Sequence, residues 1–329
     1  MKPRIFIACE TFPEVLDYLA PHCEIEENRG DAISDPVMLV RRLADKDAAM
    51  LTIVERVDAG ILRACPRLKA VCNIAVGYNN VDVAACTAAG VMVTNTPGVL
   101  DDTTADLAFA LVLASARNIV AADKWLRDGK WSGLRFMQWL GADVHHATLG
   151  IFGMGRIGQT VARRARGFDM PVIYHNRNRL PEETERAVSA NYVGKEALLR
   201  EADFVVLTLP YSKESHHYIG AAELALMKPT AHLINVARGG IVDDAALAEA
   251  LEAGRIGGAG LDVFENEPRL HPGLLDLANV ALTPHIGSAS RATRLKMALR
   301  AAENLVAILA TGNPPNLVNP DVKRSGEKQ

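Results

Sequence analysis

At 329 residues the chain is long for one domain, and two are expected; 49% hydrophobic and 23% charged residues describe a globular protein with a sizeable core and exclude disorder. A net charge of −3 leaves no field to gather nucleic acid or an anionic membrane surface. The apolar run Ile5–Cys9 is too short for a signal peptide, and Leu107–Ala116 is far short of a membrane span. Cys9, Cys23, Cys65, Cys72 and Cys86 fall in the first third without CxxC or metal-type spacing. Reduced thiols, no metal and a cytoplasmic setting are the expectation.

Strand-like runs at Arg4–Cys9, Ala48–Val54, Leu68–Ala75 and Val91–Thr94 alternate with helical segments near Glu14–Ala20, Pro36–Ala44, Ala59–Ala64 and Val83–Ala89. Such alternation predicts a parallel sheet covered by helices on both faces. The loop Val76-Gly77-Tyr78-Asn79-Asn80-Val81-Asp82 follows the third run, where it either faces a ligand or simply caps the next helix through Asp82. Residues 101–117, DDTTADLAFALVLASAR, begin with an acidic first turn and are apolar all round at the centre. They predict a buried connector helix between the two domains, running on toward Asp128 and stopping at Gly129.

The stretch from Ala147 to Arg179 is the most informative. A short run, Thr148–Phe152, passes into Gly153-Met154-Gly155-Arg156-Ile157-Gly158, then a helical pattern at Ile157, Val161, Ala165 and Phe168, then a second strand ending at His175. Strand, GxGxxG, helix, strand is a dinucleotide-binding unit. Gly153 makes the tight turn, Gly155 lets backbone approach a pyrophosphate, and Gly158 allows close packing of helix on strand. The helix N-terminus offers free N–H groups to the phosphates. Arg163, Arg164 and Arg166 read as a solvated helix face.

An NAD-specific unit ends its second strand with an acid that accepts hydrogen bonds from the adenine ribose. Here the strand runs into Asn176-Arg177-Asn178-Arg179, with no carboxylate before Glu182. Asn176 removes the charge that would repel a 2′-phosphate, and Arg177 offers a guanidinium to it. NADPH is therefore the expected cofactor, with NADH possible at lower efficiency.

Further strands are expected at Ala202–Leu209, His232–Ala237, Gly258–Val263 and Val280–Thr283, each ending in polar or special residues. Arg238, Glu267 and His285 stand at successive strand ends, and one parallel sheet would gather them on the edge that carries GMGRIG. Arginine's planar fork matches a carboxylate, histidine transfers a proton near neutral pH, and a neighbouring carboxylate fixes its tautomer. With a nicotinamide fold, that set describes a 2-oxo acid reductase. A last helix, Ser290–Ala310, comes after the cofactor sheet is complete and is expected to cross back onto the first domain. The charged tail Asp321–Gln329 is expected to be mobile.

Together with GMGRIG, the motifs NVARGGIVD (Asn235–Asp243), LDVFENEP (Leu261–Pro268) and TPHIGS (Thr283–Ser288) resemble the D-isomer-specific 2-hydroxyacid dehydrogenase family over nearly the whole chain. The segments AVGYNNVD and NTPGVLDDTTADLA are closest to its glyoxylate/hydroxypyruvate reductase branch, which includes 2-ketogluconate reductases. The resemblance implies two Rossmann-like or flavodoxin-like αβα domains, residues 1–98 with 288–329 for substrate and 99–287 for the dinucleotide, with the active site in the interdomain cleft of a homodimer. It implies that Arg238 grips the substrate carboxylate and carbonyl oxygen, that His285 paired with Glu267 supplies the proton, and that the backbone of Val76 and Gly77 holds the carboxylate. Thr104, Met154, Arg156, Ile157, Pro210, Val236, Ala237, Asp262 and Gly287 would contact the cofactor, Asp262 at its carboxamide. Trp139 would reach the partner subunit's site and limit substrate size, although packing alone explains a loop tryptophan equally well. Phosphite dehydrogenases look similar but carry lysine where this chain has Val76, and related corepressors keep the Arg/Glu/His set while acting through protein partners.

Overall fold

A computed structural model describes residues 2–322, so most of the charged tail lies outside the described residues. The chain divides into two compact units, residues 2–100 with 289–322 and residues 101–288. In chain order the first contains β1 (Arg4–Ile7), α1 (Pro13–Leu19), β2 (Glu24–Glu27), α2 (Pro36–Leu43), β3 (Ala48–Leu51), α3 (Ala59–Ala64), β4 (Ala70–Asn73), α4 (Val83–Ala88) and β5 (Met92–Thr94). The second contains α5 (Asp101–Ala116), α6 (Ile119–Arg127), β6 (Leu149–Phe152), α7 (Arg156–Ala165), β7 (Val172–His175), α8 (Glu182–Val188), β8 (Ala190–Tyr192), α9 (Lys195–Glu201) and β9 (Phe204–Leu207). It continues with α10 (Ala221–Leu224), β10 (His232–Asn235), α11 (Asp244–Glu252), β11 (Gly258–Leu261) and β12 (Val280–Leu282). The last helix, α12 (Arg291–Thr311), belongs to the first unit.

In the first unit five parallel strands take the order β2-β1-β3-β4-β5. The central strands are apolar on both faces, as helices on both sides of a parallel sheet require. On one face α12 packs Ala298, Ala301, Ala302, Leu305 and Ile308 against Ile5, Ile7, Met50 and Cys72. Ser290 caps its first turn and Gly312, in the left-handed region, ends it. At the outer edge β2 reads Glu-Ile-Glu-Glu, with no apolar run to announce it; Glu26 there takes hydrogen bonds or ion pairs from Arg42 and Lys46. Charged residues on an edge strand discourage pairing with another chain.

Seven parallel strands make the second sheet, in the order β12-β11-β10-β9-β6-β7-β8. The order reverses between β6 and β9, so the crevice beyond their carboxyl ends is the topological switch point. The predicted connector helix does not run through to Asp128. It stops at Ala116, Asn118 takes the left-handed conformation (φ 53°), and α6 leaves at 65° to α5. No glycine or proline marks this break; asparagine is among the few other residues that accept that conformation at low cost. No single helix among the described residues is long and apolar enough to cross a membrane. Arg164, expected on a solvated face, instead bonds Asp106 at 2.7 Å and Asp102 at 3.4 Å, tying α7 to α5.

Candidate active site

At the switch point the Gly-rich turn has the shape a pyrophosphate needs. Gly153 sits at φ 95°, and a Cβ there would lie 2.6 Å from the Leu209 nitrogen. A Cβ on Gly158 would meet the Gly153 oxygen at 2.4 Å, whereas one on Gly155 would meet nothing within 4 Å. Two glycines thus close the turn against protein, and the third leaves backbone open on the ligand side. Arg156 and Ile157 open α7 behind it, with the Arg156 guanidinium 2.8 Å from Asp101. Thr104 is buried on α5, and Pro210 is exposed on the loop after β9.

Asn176 follows directly on β7. Its Oδ1 accepts the Met154 N–H at 2.7 Å, which turns the amide nitrogen away from the turn. An amide therefore stands at the position where an NAD-specific unit carries a carboxylate. Arg177 beside it is exposed. Arg179 is not a free loop arginine: it makes a two-pronged pair with Glu185 at 2.9 and 2.8 Å, and Tyr174 donates to the same carboxylate at 2.7 Å. The Arg179 and Tyr174 bonds hold the Glu185 carboxyl down to about 2. Of the two arginines, only Arg177 has no ion pair among the described residues.

Farther along the same edge, His285 Nδ1 lies 2.7 Å from Glu267 Oε2, and Glu267 Oε1 accepts the Phe264 N–H at 2.9 Å. Burial pushes the Glu267 carboxyl up, but the bond from His285, its charge, the Phe264 N–H and Arg238 outweigh that and hold it below the usual carboxylate range. An ionised Glu267 can only accept, so Nδ1 carries the proton of that bond and Nε2 is the nitrogen left for a ligand. His285 itself is left-handed, at φ 54°, with its N–H shared between the Asp262 and Thr283 carbonyls. Strain of this kind persists only where the surroundings dictate it. They do so here: the Asp262 carboxylate, 1% exposed, accepts from Thr283 Oγ1 and from the Ile286 and Gly287 N–H groups at 2.7–2.8 Å.

Arg238 follows β10, after the buried Val236 and Ala237. Burial draws its guanidinium below the ordinary value, and Glu267 partly offsets this. One nitrogen donates to the Ala237 carbonyl at 2.6 Å; the remaining donors make no bond within the described residues. A half-buried guanidinium whose other donors are unused within the described residues has the chemistry to take an anion.

The loop carrying Arg238 is closely fitted, and a Cβ on Gly239 would fall 1.7 Å from the Phe264 oxygen. His217 joins both walls: its N–H donates to Gly240 at 2.7 Å and its Nε2 meets Glu265 at 3.0 Å. With His216 it forms, among the described residues, a cluster of metal-type ligands. The two imidazoles are stacked, with centroids 4.0 Å apart and planes at 22°, so their lone pairs run side by side rather than converging on an ion. The cluster reads as a clamp on the Arg238 loop.

In the first unit, Val76 and Gly77 follow β4, and neither N–H has a partner among the described residues. Asp82 caps α4 through the Ala85 N–H, as the turn reading of this loop expects. Trp139 lies on a segment whose root is tied to α5 and Asn118 through Ala142 and Leu140. It adopts φ 58° and touches Trp125 edge-on at 5.7 Å, while Leu134, Phe136, Met137 and Leu140 stand more than half exposed. Sequence reasoning missed His217 and the pairing of Arg179 with Glu185, since neither contact shows in residue type or spacing.

Comparison with known proteins agrees with this geometry. Residues 109–287 match the NAD binding domain of the D-isomer specific 2-hydroxyacid dehydrogenases. A glyoxylate reductase of Pyrococcus horikoshii is 47% identical over 328 residues, spanning 98% of this chain and 97% of its own. A solved protein of Thermus thermophilus superposes with a TM-score of 0.90 at 41% identity, covering 96% of this chain and 99% of its own. An NADPH-dependent glyoxylate/hydroxypyruvate reductase of Sinorhizobium meliloti, solved with NADP and malonate, superposes with a TM-score of 0.87 at 33% identity over all of both chains.

Proposed function

The chain belongs to the D-isomer specific 2-hydroxyacid dehydrogenase family, and on that premise we propose that it reduces small 2-oxo acids to D-2-hydroxy acids with NADPH. Glyoxylate is the first substrate, with hydroxypyruvate and 2-ketogluconate beside it. The observation that carries the reading is the 2.7 Å bond between His285 Nδ1 and Glu267, next to an Arg238 with idle donors.

When bound, the nicotinamide supplies the hydride. Gly153, Met154, Gly155, Arg156, Ile157 and Gly158 hold its phosphates, Asn176 and Arg177 the adenine ribose, and Thr104, Pro210, Val236, Ala237, Asp262 and Gly287 the rest. Arg238 grips the substrate carboxylate and polarises the carbonyl oxygen, and the Val76 and Gly77 N–H groups add donors to the carboxylate. His285 delivers a proton from Nε2 to that oxygen, and Glu267 fixes the tautomer and aims the ring. The five free cysteines suit a cytoplasmic setting.

Cofactor choice is testable on its own. One charged contact contributes about 1.5–3 kcal/mol, so NADPH should exceed NADH by roughly 10–100-fold in kcat/KM. Asn176→Asp with Arg177→Ala reverses the preference and leaves kcat with NADH near the parent value, because the change is remote from hydride transfer. Steady-state kinetics with both cofactors checks this, and no reversal would discard the assignment of Asn176 and Arg177.

A homodimer accounts for the exposed apolar segment around Trp139, because a second copy would cover what the chain leaves bare. With Trp139 at the partner's site, Trp139→Ala shifts the ratio of kcat/KM for hydroxypyruvate over glyoxylate by severalfold while the dimer persists in solution scattering. Equal losses on both substrates would reduce Trp139 to packing.

A further inference from the structure

Three consecutive carbonyls after β4 are each held by a donor. The Ala75 oxygen accepts the Thr96 N–H at 2.9 Å, the Val76 oxygen accepts Asn95 Nδ2 at 2.8 Å, and the Gly77 oxygen accepts Asn73 Nδ2 at 2.7 Å. In a planar trans peptide the C=O and the following N–H point in opposite directions. Holding these three carbonyls therefore fixes the N–H groups of Val76, Gly77 and Tyr78, each opposite the carbonyl of its own peptide. None of the three has a partner among the described residues.

The two side-chain donors are themselves fixed. Asn73, fully buried at the end of β4, exchanges reciprocal 3.2 Å amide bonds with Asn80. Asn80 in turn donates to the Thr52 and Glu55 carbonyls, both at 2.9 Å. The Glu55 carboxylate, also fully buried, stiffens that loop by accepting from Thr52 N, Thr52 Oγ1 and Ile33 N. On the other side the Asn95 carbonyl accepts Nδ2 of the buried Asn304 from α12 at 3.1 Å.

We propose that Asn73 and Asn95, braced by Asn80 and Asn304, are positioning residues that orient the Val76 and Gly77 N–H groups as a preformed anion hole for the substrate carboxylate. The inference rests on the 2-oxo acid reading above. No assigned site includes these asparagines, and their local sequence reads as ordinary turn chemistry. Preorganised backbone donors bind an anion without having to be reoriented, so the amides act on affinity for the carboxylate and leave the cofactor alone.

The test uses the full chain and oxamate, an unreactive analogue carrying a carboxylate beside a carbonyl. Asn95→Ala removes one donor. Asn73→Asp keeps the shape but places an acceptor against the Gly77 oxygen; should burial of that charge unfold the protein, Asn95→Ala decides alone. The expected result is a rise of about 10-fold in the inhibition constant of oxamate and in KM for glyoxylate, with the NADPH dissociation constant, followed by its fluorescence, unchanged. An unchanged oxamate constant in variants that still turn over glyoxylate, or an equal loss of NADPH affinity, overturns the positioning role. A wild-type protein that neither reduces glyoxylate nor binds oxamate overturns the underlying reading instead.

Discussion

Replacing His285 with alanine is expected to lower kcat for glyoxylate reduction by about two to four orders of magnitude, the range a positioned general acid supplies. NADPH binding should be unaffected, because the Gly-rich turn and the Asn176 edge do not depend on the imidazole. The bond from Nδ1 to Glu267 makes Nε2 the proton donor, and the left-handed backbone at His285 is held by Asp262 rather than by the ring. Glu267→Gln separates geometry from charge. Glutamine keeps the shape and can still accept from Nδ1, but it no longer favours the protonated imidazole. Reduction needs that proton, so the alkaline limb of its pH profile moves to lower pH. Because the Glu267 carboxyl is held below its usual range, its charge and this effect persist across neutral pH and fade only toward acid. Stopped-flow rates across pH check both variants; an unmoved profile in Glu267→Gln would remove Glu267 from the pair.

Arg238→Ala should cost a similar amount by another route. Removing one partner of a desolvated charge pair costs about 2–5 kcal/mol, so kcat/KM for glyoxylate falls by roughly 30- to 5,000-fold. The loss divides between KM, where the carboxylate loses its anchor, and kcat, where the carbonyl oxygen loses its electrophile. Stability should not fall with it. Burial already disfavours this guanidinium, and among the described residues its one bond is to the neighbouring Ala237 carbonyl. Arg238→Lys keeps the charge without the planar fork and should recover only part of the loss. Calorimetry beside steady-state kinetics separates these effects: a large fall in Tm with little change in KM would make Arg238 structural.

Most of this architecture is legible in the chain because parallel strands buried on both faces leave continuous apolar runs, and their ends leave glycine, arginine, acid and histidine in fixed order. What is not legible has physical causes. The edge strand β2 carries three glutamates. The break at Asn118 depends on one residue's tolerance of positive φ, with no glycine or proline beside it. At the site, Arg238, Glu267 and His285 could be picked out because each lies in a loop that follows a strand. The groups that aim the donors could not. Asn95 reaches Val76 from another strand end, Asn304 arrives from α12 more than two hundred residues later, and Arg179 is taken by Glu185 only because α8 packs there. Residue type and spacing announce chemistry at strand ends; orientation is set by contacts the linear order does not display.

Initial rates of the purified full chain with glyoxylate, measured side by side with NADPH and NADH, test NADPH-dependent reduction of a 2-oxo acid most directly. Saturable turnover with NADPH is expected, with a D-configured product when hydroxypyruvate replaces glyoxylate and kcat/KM roughly 10–100-fold lower with NADH. Turnover equal with the two cofactors, or none with either, would contradict it.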